Sequence, residues 1–159
     1  MIRVSPEAWA AIVPHLEAAY PKEGCGILLG TEDAEGNRLA QLALPCRNAY
    51  EGEQADRFEL DPRDQIEAER RARQLGLSVV AIFHSHPDCD AYFSATDLKY
   101  SCPWYSNIVV SVQKGRVHHA KAFLANFDQS ESEPDELILP ESSNYAQDSH
   151  SDTAAPVRR

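Results

Sequence analysis

The sequence predicts a single α+β domain in which a mixed, mostly antiparallel sheet is flanked by helices. The chain has 159 residues, of which 43% are hydrophobic and 25% charged, as expected of one globular domain. Two segments follow helical periodicity, and several short segments are rich in β-forming residues. Short turns at positions 35–37 and 114–115 each separate two such segments, which indicates antiparallel hairpins.

The first helix is predicted to begin after Ser5, which has the residue type of an N-cap and is followed by Pro6 at the first helical position. Its apolar residues recur every three to four positions: Trp9, Ile12, Val13 and Leu16. Residues 25–29 then predict a short buried strand ending at Gly30, and residues 38–44 predict its hairpin partner.

The second helix is predicted from Asp61 and Pro62 to about Leu75, where Gly76 ends it. A polar loop at residues 48–56 and a brief extended segment at 57–60 precede this helix. Three of its residues share one face and are expected to pack inward: Ala68, Ala72 and Leu75.

Residues 78–84 form the most hydrophobic and β-branched segment, which predicts a strand at the centre of the sheet. Residues 107–113 and 116–124 predict a second hairpin, and the apolar residues 137–139 predict an edge strand. We expect the folded domain to span residues 1–140. Residues 141–159 have too little apolar surface to offset their ordering entropy, so we expect a disordered tail.

Charge and hydropathy exclude several classes of function. The 15 basic and 25 acidic residues give a net charge of −10, which disfavours nucleic acid as a partner. The longest strongly apolar stretch, 79–83, is far shorter than the roughly 20 residues of a membrane-spanning helix, and no signal-peptide pattern opens the chain. We therefore expect a cytoplasmic protein with no membrane partner.

The four cysteines form no CxxC pair, which argues against a zinc ribbon or a thioredoxin-like motif. A bridge between Cys89 and Cys102 is conceivable, but free thiols are the favoured interpretation. The adjacent His118 and His119 point to opposite faces of a predicted strand, which disfavours joint metal binding there.

The segment that carries chemistry runs from Phe83 to Asp97. His84 and His86, two positions apart at the end of a strand, project from the same face. Ser94 and Asp97, three apart at a predicted helix start, also share a face. Two imidazoles and a carboxylate form a three-ligand set typical of catalytic zinc, with the fourth position open for water.

Two further residues suit such a zinc hydrolase. Glu23, just before the first strand of the first hairpin, is a candidate general base, and the Ser94 hydroxyl is a candidate oxyanion donor. Other interpretations exist for each residue alone. The histidines can be solvent-bonded strand ends, and Ser94 with Asp97 can be a capping box. We do not expect Asp97 to cap the helix and bind a metal easily at the same time.

Taken together, Glu23, His84-x-His86-Pro87 and Ser94-x-x-Asp97 resemble the JAMM motif of MPN-domain zinc metallopeptidases. Residues 21–30, 57–62 and 104–106 are similar to the short bacterial members of this JAB/MPN/PAD family. The resemblance implies a cytidine-deaminase-like MPN fold with Zn²⁺ bound by His84, His86 and Asp97. It also implies that Glu23 activates the zinc water and that Ser94 stabilises the tetrahedral intermediate.

The implied function is hydrolysis of a peptide or isopeptide bond after the C-terminal glycine of a ubiquitin-like or sulfur-carrier protein, a partner ending in Gly-Gly. One alternative is a non-catalytic MPN-type module that binds such carriers without cutting them. A zinc deaminase is the other, but His84 is followed by Ser85-His86 where those enzymes have His-x-Glu, and the sequence has no Pro-Cys-x-x-Cys pattern, since Cys102 precedes Pro103.

Overall fold

Residues 1–141 of the chain are described by a computed structural model and contain eight strands and three helices. In chain order these are β1 (Ile2–Val4), α1 (Pro6–Ala19), β2 (Cys25–Glu32), β3 (Arg38–Cys46), α2 (Pro62–Leu75), β4 (Ser78–Pro87), α3 (Ala95–Tyr100), β5 (Ser106–Gln113), β6 (Arg116–Ala125), β7 (Ser132–Asp135) and β8 (Leu137–Ile138). The predicted tail falls almost wholly at residues 142–159, outside the described residues.

The strands form one sheet in the order β7-β6-β5-β4-β2-β3-β1-β8. Four of the neighbouring pairs are antiparallel, and the pairs β4-β5, β1-β3 and β1-β8 are parallel. The predicted α+β class with a mixed, mostly antiparallel sheet is therefore confirmed. Both hairpins, β2-β3 and β5-β6, are confirmed as well, and β4 lies in the interior of the sheet as its composition predicts.

Helices cover both faces of the sheet, which explains the unbroken apolar run in β2. Leu28 is buried in the same cluster as Ile12 and Leu16 of α1. Its neighbours Ile27 and Leu29 belong to a second cluster with the buried alanines of α2. Successive side chains point to opposite faces of a strand, so both faces of β2 must be apolar.

The helix boundaries follow the local signals in the sequence. The Ser5 side chain accepts the Ala8 N–H at the start of α1, and the Asp61 side chain accepts the Arg63 N–H at the start of α2. Gly76 ends α2 in the left-handed conformation with φ of 67°, which glycine adopts without steric cost.

The expected burial of Leu75 is wrong, since 51% of this residue is exposed. Leu75 is the last residue of α2, and the chain turns at Gly76 immediately after it. Leu77 then packs against the cluster that holds Ala68 and Ala72. The apolar stripe of the helix therefore continues into the following loop rather than through Leu75.

Two short strands were not predicted. β1 pairs with β3 and β8, and the polar β7 pairs with β6 at the sheet edge. The edge strand expected at residues 137–139 is confirmed as β8. β4 also extends to Pro87, so His84 and His86 lie inside the strand.

Candidate metal centre

Glu23 and the two histidines of β4 meet at one edge of the sheet because β2 and β4 are antiparallel. Cys25, near the start of β2, pairs with His84, near the end of β4. Gly24 and Ser85 then exchange two hydrogen bonds: the Gly24 N–H donates to Ser85 Oγ at 2.8 Å, and the Ser85 N–H donates to the Gly24 carbonyl at 3.0 Å. These bonds fix the backbone on both sides of the site.

The side chains of His84 and His86 converge, as their two-residue spacing predicts. Both residues are buried, and their Nε2 atoms lie 3.2 Å apart. The ring of Phe58 stacks on His84 with a centroid distance of 4.5 Å. On the other side, Tyr92 meets the His86 ring edge-on at 4.9 Å. The imidazoles are thus held between two aromatic rings.

Asp97 faces both imidazoles while it caps α3. Its Oδ1 lies 3.2 Å from His84 Nε2 and its Oδ2 lies 3.1 Å from His86 Nε2. The same Oδ2 accepts the Ser94 N–H at 3.0 Å, and Ser94 Oγ accepts the Asp97 N–H at 3.0 Å. The capping box is therefore present, and the carboxylate that takes part in it lies within 3.2 Å of both imidazoles. One carboxylate has enough lone pairs for both tasks.

Glu23 lies beside His86. Only 3% of the residue is exposed, its Oε1 is 3.9 Å from His86 Nε2, and its buried Oε2 has no hydrogen-bond partner among the described residues. Its backbone is held by the loop at residues 48–56: Glu23 N–H donates to the Gln54 carbonyl, and Asn48 Nδ2 donates to the Glu23 carbonyl. The protein thus holds an unpaired carboxylate oxygen beside two imidazoles.

The two carboxyl groups of the site differ in acidity. Burial, reinforced by the negative charges of Asp97 and Asp56, raises the pKa of Glu23 to about 8. Burial also acts to raise the pKa of Asp97, but hydrogen bonds from His84 and His86 outweigh it and hold that pKa well below its usual range. Burial lowers the pKa of His84, which favours the neutral imidazole. At neutral pH the carboxyl group of Asp97 is therefore ionised, whereas that of Glu23 is protonated.

These side chains match the requirements of a small metal site. Tetrahedral zinc, with ligand bonds of about 2.0–2.1 Å, places its ligand atoms about 3.3 Å from one another. The Nε2 atoms of His84 and His86 and the Asp97 oxygens are separated by 3.1 to 3.2 Å. Glu23, His84 and His86 form a wider group whose ligand atoms lie within 4.8 Å of one another. The shorter separations favour Asp97 over Glu23 as the third ligand.

Ser94 is brought to the site by its bond to Asp97, and it is half-buried at the start of α3. The five residues singled out from the sequence therefore lie in one region. Sequence reasoning did not identify the role of Ser85 or Tyr92. The sequence does contain a signal for Ser85: because side chains alternate along a strand, the residue between two inward-facing histidines must face the opposite side of β4.

The cysteines take no part in this cluster. All four are free thiols; Cys25 and Cys46 are buried, and Cys89 is exposed. Burial raises the pKa of both Cys25 and Cys46 to about 12, which keeps them protonated and unreactive. Within residues 1–141, no helix combines the length and apolarity needed to cross a bilayer.

Several known proteins are similar in sequence to this chain over most of the described residues. It is 37% identical over 100 residues to the tail tip assembly protein K of Escherichia phage N15, an alignment that covers 60% of this chain and 36% of that protein. It is 30% identical over 115 residues to the CysO-cysteine peptidase of Mycobacterium tuberculosis, covering 71% and 75%. It is 35% identical over 92 residues to the desampylase of Haloferax volcanii, covering 57% and 63%. The chain thus spans about a third of the phage protein and most of the peptidase.

A solved structure and a family model agree with this similarity. The solution structure of a protein from Desulfitobacterium hafniense superposes with a TM-score of 0.76 at 29% identity, covering 89% of this chain and 94% of that one. A model described as prokaryotic homologs of the JAB domain matches residues 5–124. The chain therefore belongs to the prokaryotic JAB family, of the JAMM/MPN type that its motif predicts.

Proposed function

We propose that this protein is a zinc-dependent hydrolase that cleaves a peptide or isopeptide bond after the C-terminal glycine of a ubiquitin-like or sulfur-carrier protein. The observation that carries the proposal is the buried Glu23 carboxylate beside the cluster of His84, His86 and Asp97. Family members with similar sequences are named as a CysO-cysteine peptidase and a desampylase, which supports hydrolysis of such conjugates.

His84, His86 and Asp97 are the proposed zinc ligands. Two neutral imidazoles and one ionised carboxylate suit the ion, and three protein ligands leave a coordination position open. When bound, zinc lowers the pKa of a coordinated water and polarises a carbonyl oxygen. The cap on α3 holds the Asp97 carboxylate in place, since its Oδ2 is fixed by the Ser94 N–H at 3.0 Å.

Glu23 is the proposed general base. A carboxyl group with a pKa near neutrality can both accept and return a proton, whereas one with an ordinary pKa is a weaker base. Burial raises the pKa of Glu23 to about 8, and a dication nearby would lower it toward neutrality. The partnerless Oε2 provides the atom that accepts the proton.

Ser94 is the proposed oxyanion donor. Its Oγ accepts the Asp97 N–H, a bond that uses an oxygen lone pair and not the hydroxyl proton. That proton can therefore be donated to the substrate carbonyl oxygen as negative charge develops there. The backbone bond also fixes the position of Oγ at the start of α3.

The proposed reaction adds water across the scissile C–N bond. Glu23 takes a proton from the attacking water, whose oxygen bonds to the carbonyl carbon. Ser94 donates a hydrogen bond to the carbonyl oxygen until the C–N bond breaks. Glu23 then returns the proton to the leaving amine, which regenerates the carboxylate.

The test uses a small Gly-Gly-ended β-grasp protein fused through its terminal glycine to a reporter peptide. We expect cleavage after that glycine, loss of cleavage with a chelator, and recovery on adding zinc. Glu23→Ala should abolish turnover, whereas Glu51→Ala, at an exposed acid of the neighbouring loop, should not. Cleavage that survives both chelation and Glu23→Ala would overturn the mechanism. One zinc per chain with no turnover would favour the binding module.

A further inference from the structure

His86 is oriented by a backbone carbonyl of the loop that follows β4. Its Nδ1 lies 3.1 Å from the Asp90 carbonyl oxygen. A carbonyl can only accept, so Nδ1 must carry the proton. In the neutral form of the ring, the form that a metal would bind, this leaves Nε2, the atom that faces Asp97 and His84, with its lone pair.

Residues 88 and 89, at the start of this loop, are hydrogen-bonded to the β5-β6 hairpin. Asp88 N–H donates to the Val112 carbonyl at 2.8 Å, and Asp88 Oδ1 accepts the Lys114 N–H at 2.8 Å. Ser111 Oγ donates to the Cys89 carbonyl at 2.6 Å. These bonds anchor residues 88 and 89 but leave the orientation of the next peptide group to other contacts.

The peptide group between Asp90 and Ala91 is held at both ends: its carbonyl also accepts the Tyr92 N–H at 3.0 Å, and its N–H is bound by His119 of β6. The Ala91 N–H donates to His119 Nε2 at 3.2 Å, and both residues are buried. An amide N–H can only donate, so His119 Nε2 is unprotonated and the ring proton lies on Nδ1. The Asp90 side chain, by contrast, is 80% exposed, and its Oδ1 lies 3.7 Å from the same Nε2, beyond hydrogen-bond distance.

The Asp90 carbonyl and the Ala91 N–H belong to one peptide group, which is planar and rigid. A bond that fixes the N–H therefore fixes the direction of the carbonyl that receives the His86 proton. Hydrogen bonds in such a chain also polarise one another, which strengthens each. The connection runs from His119 Nε2, through the 90–91 peptide group, to His86 Nδ1.

We propose that His119 is a positioning residue for the metal centre: it holds the Asp90–Ala91 peptide group so that the Asp90 carbonyl orients His86 as a ligand. The inference rests on the proposed zinc site. It concerns a residue outside the motif, for which the sequence predicts no part in metal binding.

The experiment measures the zinc dissociation constant of the full chain by competition with a chromophoric chelator. His119→Leu removes the acceptor and should weaken zinc binding about 10-fold, the lower end of the effect of losing a partner that orients a ligand. His119→Gln offers an amide oxygen close to the position of Nε2 and should restore most of the affinity. Thermal unfolding of the chelator-treated variants reports any general loss of stability.

Two control variants separate positioning from packing and from charge. Val117→Ala removes buried volume from the same strand without touching the loop amide and should leave the dissociation constant unchanged. Asp90→Ala removes the carboxylate but keeps the backbone carbonyl, so it should lose less zinc affinity than His119→Leu does. Equal losses in His119→Leu and Val117→Ala, an unchanged dissociation constant in His119→Leu, or no recovery in His119→Gln would each overturn the inference.

A measurement on the unmutated chain covers the case in which His119→Leu does not fold. Nitrogen-15 spectra of the histidine rings should show His119 protonated at Nδ1 and unprotonated at Nε2. A proton on His119 Nε2 would contradict the proposed bond from Ala91. Failure of the wild-type chain to bind zinc would instead overturn the proposed function, and the ring spectra would still test the role of His119.

Discussion

Asp97 and Ser94 exchange two hydrogen bonds at the start of α3, and the Asp97 oxygen that takes part also faces His86. Asp97 Oδ2 accepts the Ser94 N–H at 3.0 Å and lies 3.1 Å from His86 Nε2. The helix cap and the candidate metal site therefore share one atom. A single carboxylate couples the start of the helix to the geometry of the proposed ligands.

Substitutions of Asp97 should separate its two roles. Asp97→Asn keeps an oxygen for the helix cap but removes the charge, so it should lose most zinc binding with little effect on stability. Asp97→Ala should lose zinc and also about 0.5–1.5 kcal/mol of stability, the net contribution of a typical hydrogen bond, because the Ser94 N–H loses its acceptor. Metal analysis and thermal unfolding of the chelator-treated proteins measure the two effects. Wild-type zinc affinity in Asp97→Asn would contradict ligation by the charged carboxylate.

Glu23→Gln should retain zinc and lose turnover. The amide has nearly the shape of the carboxylate but cannot accept the proton of the attacking water, so we expect the rate to fall by about 10²- to 10⁴-fold. His86→Ala, which removes a proposed ligand, is the matched comparison and should lose the metal itself. If Glu23→Gln lost zinc as completely as His86→Ala, Glu23 would be a ligand and not the base.

Ser94→Ala should slow turnover by about 10²-fold or more, the effect of removing one oxyanion donor. KM should change little, because the hydrogen bond is strongest in the transition state. The variant also loses the cap on α3, so rates are to be compared well below its unfolding temperature. A raised KM with an unchanged kcat would indicate that Ser94 binds substrate and does not stabilise the oxyanion.

The metal-free chain should show a pH-dependent stability that depends on Glu23. Burial raises the pKa of this group from 4.5 to about 8, so its contribution to stability is fully present below pH 4.5 and is lost as the pH rises toward 8. Denaturant unfolding in the presence of a chelator should therefore show a smaller decline over this interval in Glu23→Gln than in the wild type. Parallel curves for the two proteins would contradict a raised pKa.

The helices and strands were predicted correctly where the signal in the sequence was local. Ser5 and Asp61 start helices and Gly76 ends one because caps depend on a few neighbouring residues. β1 was missed because it is short and pairs with β3, which is distant in sequence. β7 was missed because it is short, polar and contains a proline, although it pairs with the preceding strand β6. Leu75 was misplaced because periodicity does not show that the chain turns at Gly76, so that Leu77 and not Leu75 packs on the cluster.

For the site, the residue order alone specifies the ligand types and two spacings. Strand alternation puts His84 and His86 on one face, and capping geometry joins Ser94 to Asp97. The order of the residues carries no local signal that links Glu23 to the histidines or His119 to His86. Those contacts exist because antiparallel pairing brings Gly24 to Ser85, 61 residues away, and because the loop after β4 folds onto β6. These contacts therefore depend on long-range hydrogen bonds of the backbone, which no short window of residues encodes.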